Sequence, residues 1–306
     1  AFTYGLFALS LITNGFFIAI AMTTASDSIG RYRFLMSGFA LMDILVAANH
    51  MFMMPSVQMT PVGYIFFGYH LIEAPAWVGT YSGVLFVIFF YQTFIILAFH
   101  YIYRYAVVCD PFWCKWFSSK YSTRNWMLIA FAAQILYTLG FYEVVKIGFM
   151  PSEYKLRYHQ PIILNATGID ISQLDFGYLA IMIRKSGGSG GEVWERDAVV
   201  SILGAFTLCL LTVIVILLCC VLIMKELDNA KSMMMSKVTR SMHGQLLKAL
   251  LVQTAIPTVF TYIPLGTIFV APFIGFDLAG IFGDLLIMSC AVFPALDPII
   301  MIYFVR

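Results

Sequence analysis

Seven long apolar runs alternate with polar segments along the chain, at approximately residues 2–23, 34–54, 75–103, 125–142, 198–224, 249–270 and 278–305. The stretch from Ala74 to Tyr103 holds thirty residues without one Lys, Arg, Asp or Glu. As a helix it would reach ~45 Å, against the ~30 Å hydrocarbon core of a bilayer. The first run has no basic start, so it reads as a span rather than a secretory signal. The fourth run, between Arg124 and Glu143, is the shortest at 18 residues. The polar segment 143–197 that follows is 55 residues long, too long for a plain connector and placed to cover one end of the molecule. The pattern predicts an all-α membrane protein, a seven-helix transmembrane bundle forming one domain over residues 1–306.

Composition sharpens the class. Charged residues are 11% of the chain and hydrophobic ones 61%, with a mean hydropathy of +0.88, where soluble domains carry ~25% charged residues. A lipid bilayer is the solvent that fits. A net charge of +2 is too small to suggest nucleic acid. The six cysteines lie in or beside apolar runs, with neither a zinc spacing nor the placement for an extracellular staple. Gly187 to Gly191 matches G-x-S-x-G, but in a polar loop without the strand and helix that motif needs. The reading is non-enzymatic, with no cofactor and no metal.

Lys and Arg set the expected orientation. Of 18 such residues, 12 fall in the first, third and fifth connections and at the C-terminus, while the second and sixth connections hold none. This predicts an outer N-terminus and a cytoplasmic C-terminus. The sequon at Asn165 lies in the long fourth connection, so the same orientation makes it an external glycosylation site. No internal repeat appears, which disfavours a small-solute transporter. A ligand-gated cation channel of the insect odorant-receptor kind would run with its N-terminus inside, against the charge count.

Ionisable groups at membrane depth are costly and mark function. Counted from the cytoplasmic ends, Asn14, Asp43 and Asp297 lie ~12–18 Å deep, which suggests a shared buried polar site. Two carboxylates brought together need either a proton on one or a cation between them. Asp284 sits nearer the outer end of the seventh span. Phe86, Phe90 and Tyr91 line the outer half of the third. Pro257 and Pro264 each remove a hydrogen bond from the sixth, making it the candidate moving part. His100 and Arg104, four apart, share a helical face where the third span ends.

Four stretches carry a resemblance: H-Y-I-Y-R-Y-A-V-V-C-D-P (His100 to Pro111), L-L-K-A-L-L-V-Q-T-A-I-P-T-V-F-T-Y-I-P (Leu246 to Pro264), P-A-L-D-P-I-I (Pro294 to Ile300) and G-R-Y-R-F-L-M (Gly30 to Met36). They are similar to the Str-type nematode chemoreceptors, relatives of the worm diacetyl odorant receptor within the G-protein-coupled receptors. The resemblance implies a small odorant or peptide-like ligand, a heterotrimeric G protein as partner, and the plasma membrane of sensory neurons and their cilia. Under it, Phe86, Phe90, Tyr91, Tyr262 and Asp284 are the expected ligand site. His100, Arg104, Tyr105, Pro257, Pro294, Asp297 and Pro298 are the expected coupling residues. Departures from the rhodopsin-like pattern are Tyr103 where an acid usually precedes the Arg, Met301 in the seventh-span motif, and the missing external cysteines. Arg104 then has to find other acceptors, with Asp110 and sixth-span carbonyls the expected ones.

Overall fold

The computed structural model describes residues 2–23, 32–109, 122–171, 174–186, 192–229, 237–275 and 281–305. Helices α1 (Phe2–Thr23) and α2 (Tyr32–Met53) are followed by strands β1 (Pro55–Thr60) and β2 (Gly63–Gly68), then by α3 (Ala76–Cys109) and α4 (Ser122–Gly148). The long connection folds as α5 (Glu153–Thr167), β3 (Tyr178–Met182), β4 (Arg184–Ser186) and β5 (Glu192–Trp194). Next come α6 (Arg196–Asn229) and α7 (Lys237–Pro257), a π-helical turn at Thr258–Tyr262, and α8 (Ile263–Val270). The last span is α9 (Ile281–Ser289) and α10 (Phe293–Val305).

Among the described residues, seven helical stretches are long and apolar enough to cross a membrane, as the hydropathy pattern predicts. The charge-free run is the axis of the bundle. In its most apolar window 67% of α3 is buried, against 17% for α4. On α4 the side chains of Met127, Leu128, Phe131 and Leu136 remain exposed, where lipid tails as apolar as leucine can cover them. The structure also carries α4 on to Gly148, past the Glu143 that bounds the fourth run. Glu143 and Lys146 pair at 3.5 Å on its exposed face.

Two spans are broken, and each break is repaired by a polar side chain of another span. Pro264 has no N–H for the carbonyl of Phe260 one turn earlier, and the Ser289 hydroxyl of α9 shares its proton between that oxygen, at 3.0 Å, and Leu286 O of its own helix, at 2.7 Å. Pro298 likewise leaves the carbonyl of Pro294 without its helical donor. Asn14 Nδ2 and Ser10 Oγ, both on α1, donate to it at 2.8 and 3.1 Å. A proline in a membrane helix is tolerated where neighbours supply the lost donor in this way.

One end of the bundle carries a feature the hydropathy pattern does not predict. Strands β1 and β2 form an antiparallel hairpin, and β3, from the far side of the chain, adds to β2 in antiparallel register. All three strands are buried along their length. α5 packs beside them, capped by Ser152 at its start and by Gly168 in the left-handed region (φ 74°) at its end. Lys155 Nζ donates to the carbonyls of Gly148 and Met150 at 2.8 and 3.0 Å, satisfying the carboxyl end of α4. Burial pulls this ammonium down to a pKa of about 8.

The long connection is pinned to α3 by two contacts. Asp175 Oδ2 accepts from Ala76 N–H at 2.9 Å, a carboxylate at a helix N-terminus. Beside it Gly177 and Gly79 press backbone to backbone. A Cβ on Gly177 would stand 2.3 Å from the carbonyl oxygen of Ala76, so both positions need glycine for the close approach. The β4–β5 hairpin is held in turn by the sixth span: Arg184 Nη2 donates to Phe273 O at 3.1 Å, and Trp194 stacks on Phe273.

Candidate functional site

At the end of α3 remote from the sheet, Arg104 is buried at 6% exposure. Its guanidinium carbon lies 4.0 Å from the centroid of the Tyr32 ring at the start of α2. A cation over an aromatic face is attracted by the ring quadrupole, and among the described residues that face stands where a carboxylate is usual. Tyr32 is the hub of this end. Its hydroxyl pairs with His100 Nδ1 at 2.8 Å, and its ring stacks on Tyr103. His100 also meets Phe39 edge to face. The residue that sequence reasoning finds where an acid is usual is therefore part of an aromatic clamp. Asp110, the other expected acceptor, lies outside the described residues. His100 spends its hydrogen bond on Tyr32 and makes none with Asp43 or Asp297. Tyr105 packs against the main core on the same helix.

The middle of the bundle holds the three expected polar groups, in a different arrangement from a simple triad. Asn14 is used as the donor that repairs the Pro298 break, and only its Oδ1 is left without a partner. Asp297 Oδ2 accepts from Gln253 Nε2 of α7 at 3.0 Å. Asp43 is fully buried on α2, neither carboxylate oxygen meets a donor, and it lies within electrostatic reach of Asp297. Asp297 Oδ1 and Gln253 Oε1 are also unpartnered. The layer is thus rich in acceptors and poor in donors, the chemistry that takes up a proton or a hard cation bound through oxygen. Gln253 escapes a search for ionisable residues because it carries no charge. The signal that could find it is a lone amide one turn before Pro257.

Between this layer and the sheet lies the aromatic region. Phe86 stacks on Phe90, Tyr91 on Phe141, and Phe94 on Tyr262 with centroids 3.7 Å apart. Tyr262 belongs to the π-helical turn, and its hydroxyl pairs with Thr93 of α3 at 3.2 Å. Two cavities adjoin here. One of about 50 Å³ lies under the sheet and is lined by Phe86, Phe90 and Tyr91. The other, about 390 Å³, lies between α3, α6 and the sixth span and is lined by Tyr91 and Tyr262. The four aromatic residues expected at a ligand site thus border two neighbouring spaces that share Tyr91 in their linings. Asp284 lines neither. Its carboxylate accepts from Ser56 Oγ at 2.7 Å, Val57 N–H at 3.1 Å and Gln58 Nε2 at 3.5 Å. It latches β1 onto α9.

A model of the serpentine-type seven-transmembrane chemoreceptors, Str, matches residues 1–306. The chain belongs to the Str family of G-protein-coupled receptors. It is 22% identical over 285 residues to serpentine receptor class r-10 of Caenorhabditis elegans, covering 93% of this chain and 81% of that protein. To the G-protein coupled receptor str-33 of the same worm it is 21% identical over 304 residues, with 96% and 84% covered. Its fold is similar to that of squid rhodopsin, at a TM-score of 0.63 and 15% identity over 98% of this chain and 79% of the other.

This Str receptor replaces two fixtures whose absence the sequence shows. Where a cysteine staple is missing, the long connection is tied to α3 by Asp175 and by the Gly79–Gly177 approach. Where the acid before the Arg is missing, Tyr32 takes the guanidinium. Tyr32 is invisible to a search for polar groups at membrane depth, because an aromatic residue at a span's edge resembles ordinary packing. A further tie, Tyr101 to Thr254 at 2.9 Å, joins α3 to α7 one turn above the clamp.

Proposed function

We propose that this Str receptor binds a small organic molecule, an odorant or similar chemical cue, in the aromatic cavities and then activates a heterotrimeric G protein at the Arg104 end. Tyr262 carries the reading. It borders the larger cavity, stacks on Phe94 and pairs with Thr93, and it sits in the π-helical turn where the sixth span is least regular. An occupant of the cavity therefore bears on the point where that span yields most easily, between Pro257 and Pro264. Below the turn, the same span holds Thr254 against Tyr101 and Gln253 against Asp297. Swinging α7 outward breaks both ties and exposes Arg104 to a partner helix. Pro294, Asp297 and Pro298 carry the seventh span's share of the movement, while His100 and Tyr105 hold Arg104's helix. A ligand shifts such an equilibrium only by its differential affinity, ~5.5 kcal/mol for a reversal from 1:99 to 99:1.

In this reading the sheet end faces outward, as the Lys and Arg distribution favours, and the Arg104 end faces the cytoplasm. Asn165, exposed in the last turn of α5, then carries a glycan, and the receptor works in the ciliary plasma membrane of a sensory neuron. The test is an odorant screen on cells with a cyclic-nucleotide or calcium readout. Phe90→Ala should weaken the response with surface expression unchanged. Arg104→Ala should abolish signalling while ligand binding persists. Full signalling from Arg104→Ala, or a ligand-evoked current in cells lacking G proteins, would overturn the reading.

A further inference from the structure

The larger cavity has a closed side and an open side. Toward the sheet it is roofed by β1, β2 and β3 through the smaller cavity, whose ceiling is Val57, Tyr64, Phe66 and Leu179. These four are at most 6% exposed, so among the described residues the strands of the sheet close the cavity to water from above. Phe269, which borders both cavities, packs edge to face on Tyr64 and Phe149 and tightens the roof. On the flank the situation reverses. Phe206 and Leu217 of α6 line the same cavity yet are 43% and 57% exposed on the outside of the bundle. Across the gap from them stands Gly266 of α8, also part of the lining, and a Cβ placed on it meets nothing within 4 Å. The wall between α6 and the sixth span is therefore thin beside Gly266, and the side chains exposed on its outer face, Leu210 and Leu217 of α6 and Ile263 and Val270 of α8, are apolar.

The lining restricts what can pass. It holds no Lys, Arg, Asp, Glu or His. Thr254 and Thr258 donate their hydroxyl protons to the carbonyls of Leu250 and Thr254, each at 2.7 Å. A charged molecule would have to leave water for a space that offers no counter-ion, a cost that excludes it. An uncharged molecule that dissolves in lipid meets no such barrier on the flank.

We propose that the ligand of this receptor reaches its cavity sideways from the bilayer, through the gap between α6 and the sixth span beside Gly266, and that it belongs to the uncharged, lipid-partitioning class of small organic molecules. The role of the cavity as a ligand site rests on the functional reading above; the path into it rests on geometry alone. Gly266 is then a specificity-determining position, kept open by the lack of a side chain.

Photolabelling of the full chain in liposomes tests the path without reference to signalling, so its failure is distinct from a failure of the receptor reading. The probe is a membrane-partitioned aryl trifluoromethyl diazirine, with a sulfonated, membrane-impermeant diazirine as its counterpart. Leu97 and Ile202 line the cavity and are each only 1% exposed, whereas Leu210 is 58% exposed on the outer face of α6. The expected result is lipid-probe labelling of Leu97 and Ile202 as well as Leu210, with none of the interior labelled by the sulfonated probe. Gly266→Phe fills the gap and should abolish interior labelling while Leu210 is labelled as before. Leu217→Trp narrows the gap from the opposite side and gives the same test if Gly266→Phe does not fold. Labelling of Leu210 alone in the unmodified chain would overturn the proposal. So would interior labelling by the sulfonated probe, or interior labelling that persists in both variants.

Discussion

Arg104 of α3 lies 4.0 Å over the ring of Tyr32 at the start of α2, and that ring is shared with Tyr103 and, through its hydroxyl, with His100. A cation–π contact contributes ~0.5–2 kcal/mol. If it holds the resting state, Tyr32→Leu should raise ligand-independent G-protein turnover by roughly 2- to 30-fold. Tyr32→Phe keeps the ring face and loses the hydroxyl's bonds to His100 and Arg104, so its basal turnover should rise less than that of Tyr32→Leu. Nucleotide exchange on a purified G protein measures both. Unchanged basal turnover in Tyr32→Leu would place the clamp elsewhere.

The Asp284 carboxylate takes donors from Ser56, Val57 and Gln58 of β1. Hydrogen bonds to an ionised group contribute ~1.5–3 kcal/mol. Asp284→Ala should therefore loosen β1 from α9, seen as faster amide exchange at Val57 in hydrogen-exchange mass spectrometry. A ligand-anchoring role would give the opposite pattern, with weaker ligand binding and unchanged exchange in β1.

Gly177 and Gly266 make a matched pair. A methyl group on Gly177 would stand 2.3 Å from Ala76 O and 2.7 Å from the Cα of Gly79, both backbone atoms that cannot swing aside. Overpacking of this kind costs ~1–3 kcal/mol or more. Gly177→Ala should lower the melting temperature in detergent and reduce surface expression. Gly266→Ala meets open space and should do neither.

His159, on α5, has no exposure to solvent and bonds Lys155 O through Nδ1 at 2.8 Å. Burial holds its pKa down to about 4 against an ordinary 6.5, and the nearby Lys155 ammonium adds to the effect. Between these values the unfolded chain binds the proton and the folded chain does not. The contribution of this group is complete above pH 6.5 and is lost as the pH falls toward 4. Full loss is on the order of 3 kcal/mol. Amide protection in α5 should decline over that window, and His159→Phe should flatten the decline. A slope that survives the substitution would assign it to another group.

Much of the bundle is legible in the chain alone. Lipid offers the backbone no hydrogen-bond partners, so each span must be a helix of nearly fixed length, and hydropathy marks it. Burial of Asp43, Asp297 and Arg104 is legible too, because ionisable groups stand out in apolar runs. Their partners are not. That Asn14 repairs the break made by Pro298, 284 positions further on, and that Tyr32 receives Arg104, are matters of which helix faces which. The sheet is hidden for a related reason. β1 and β2 are short apolar segments next to a span, and β3 comes from a different connection more than a hundred residues later. Local pattern cannot distinguish such strands from span edges, since their hydrogen bonds exist only once the bundle has brought both connections to the same end. Asp284 shows the same division: its depth follows from counting residues, but its three donors are supplied by a strand that forms only in the folded chain.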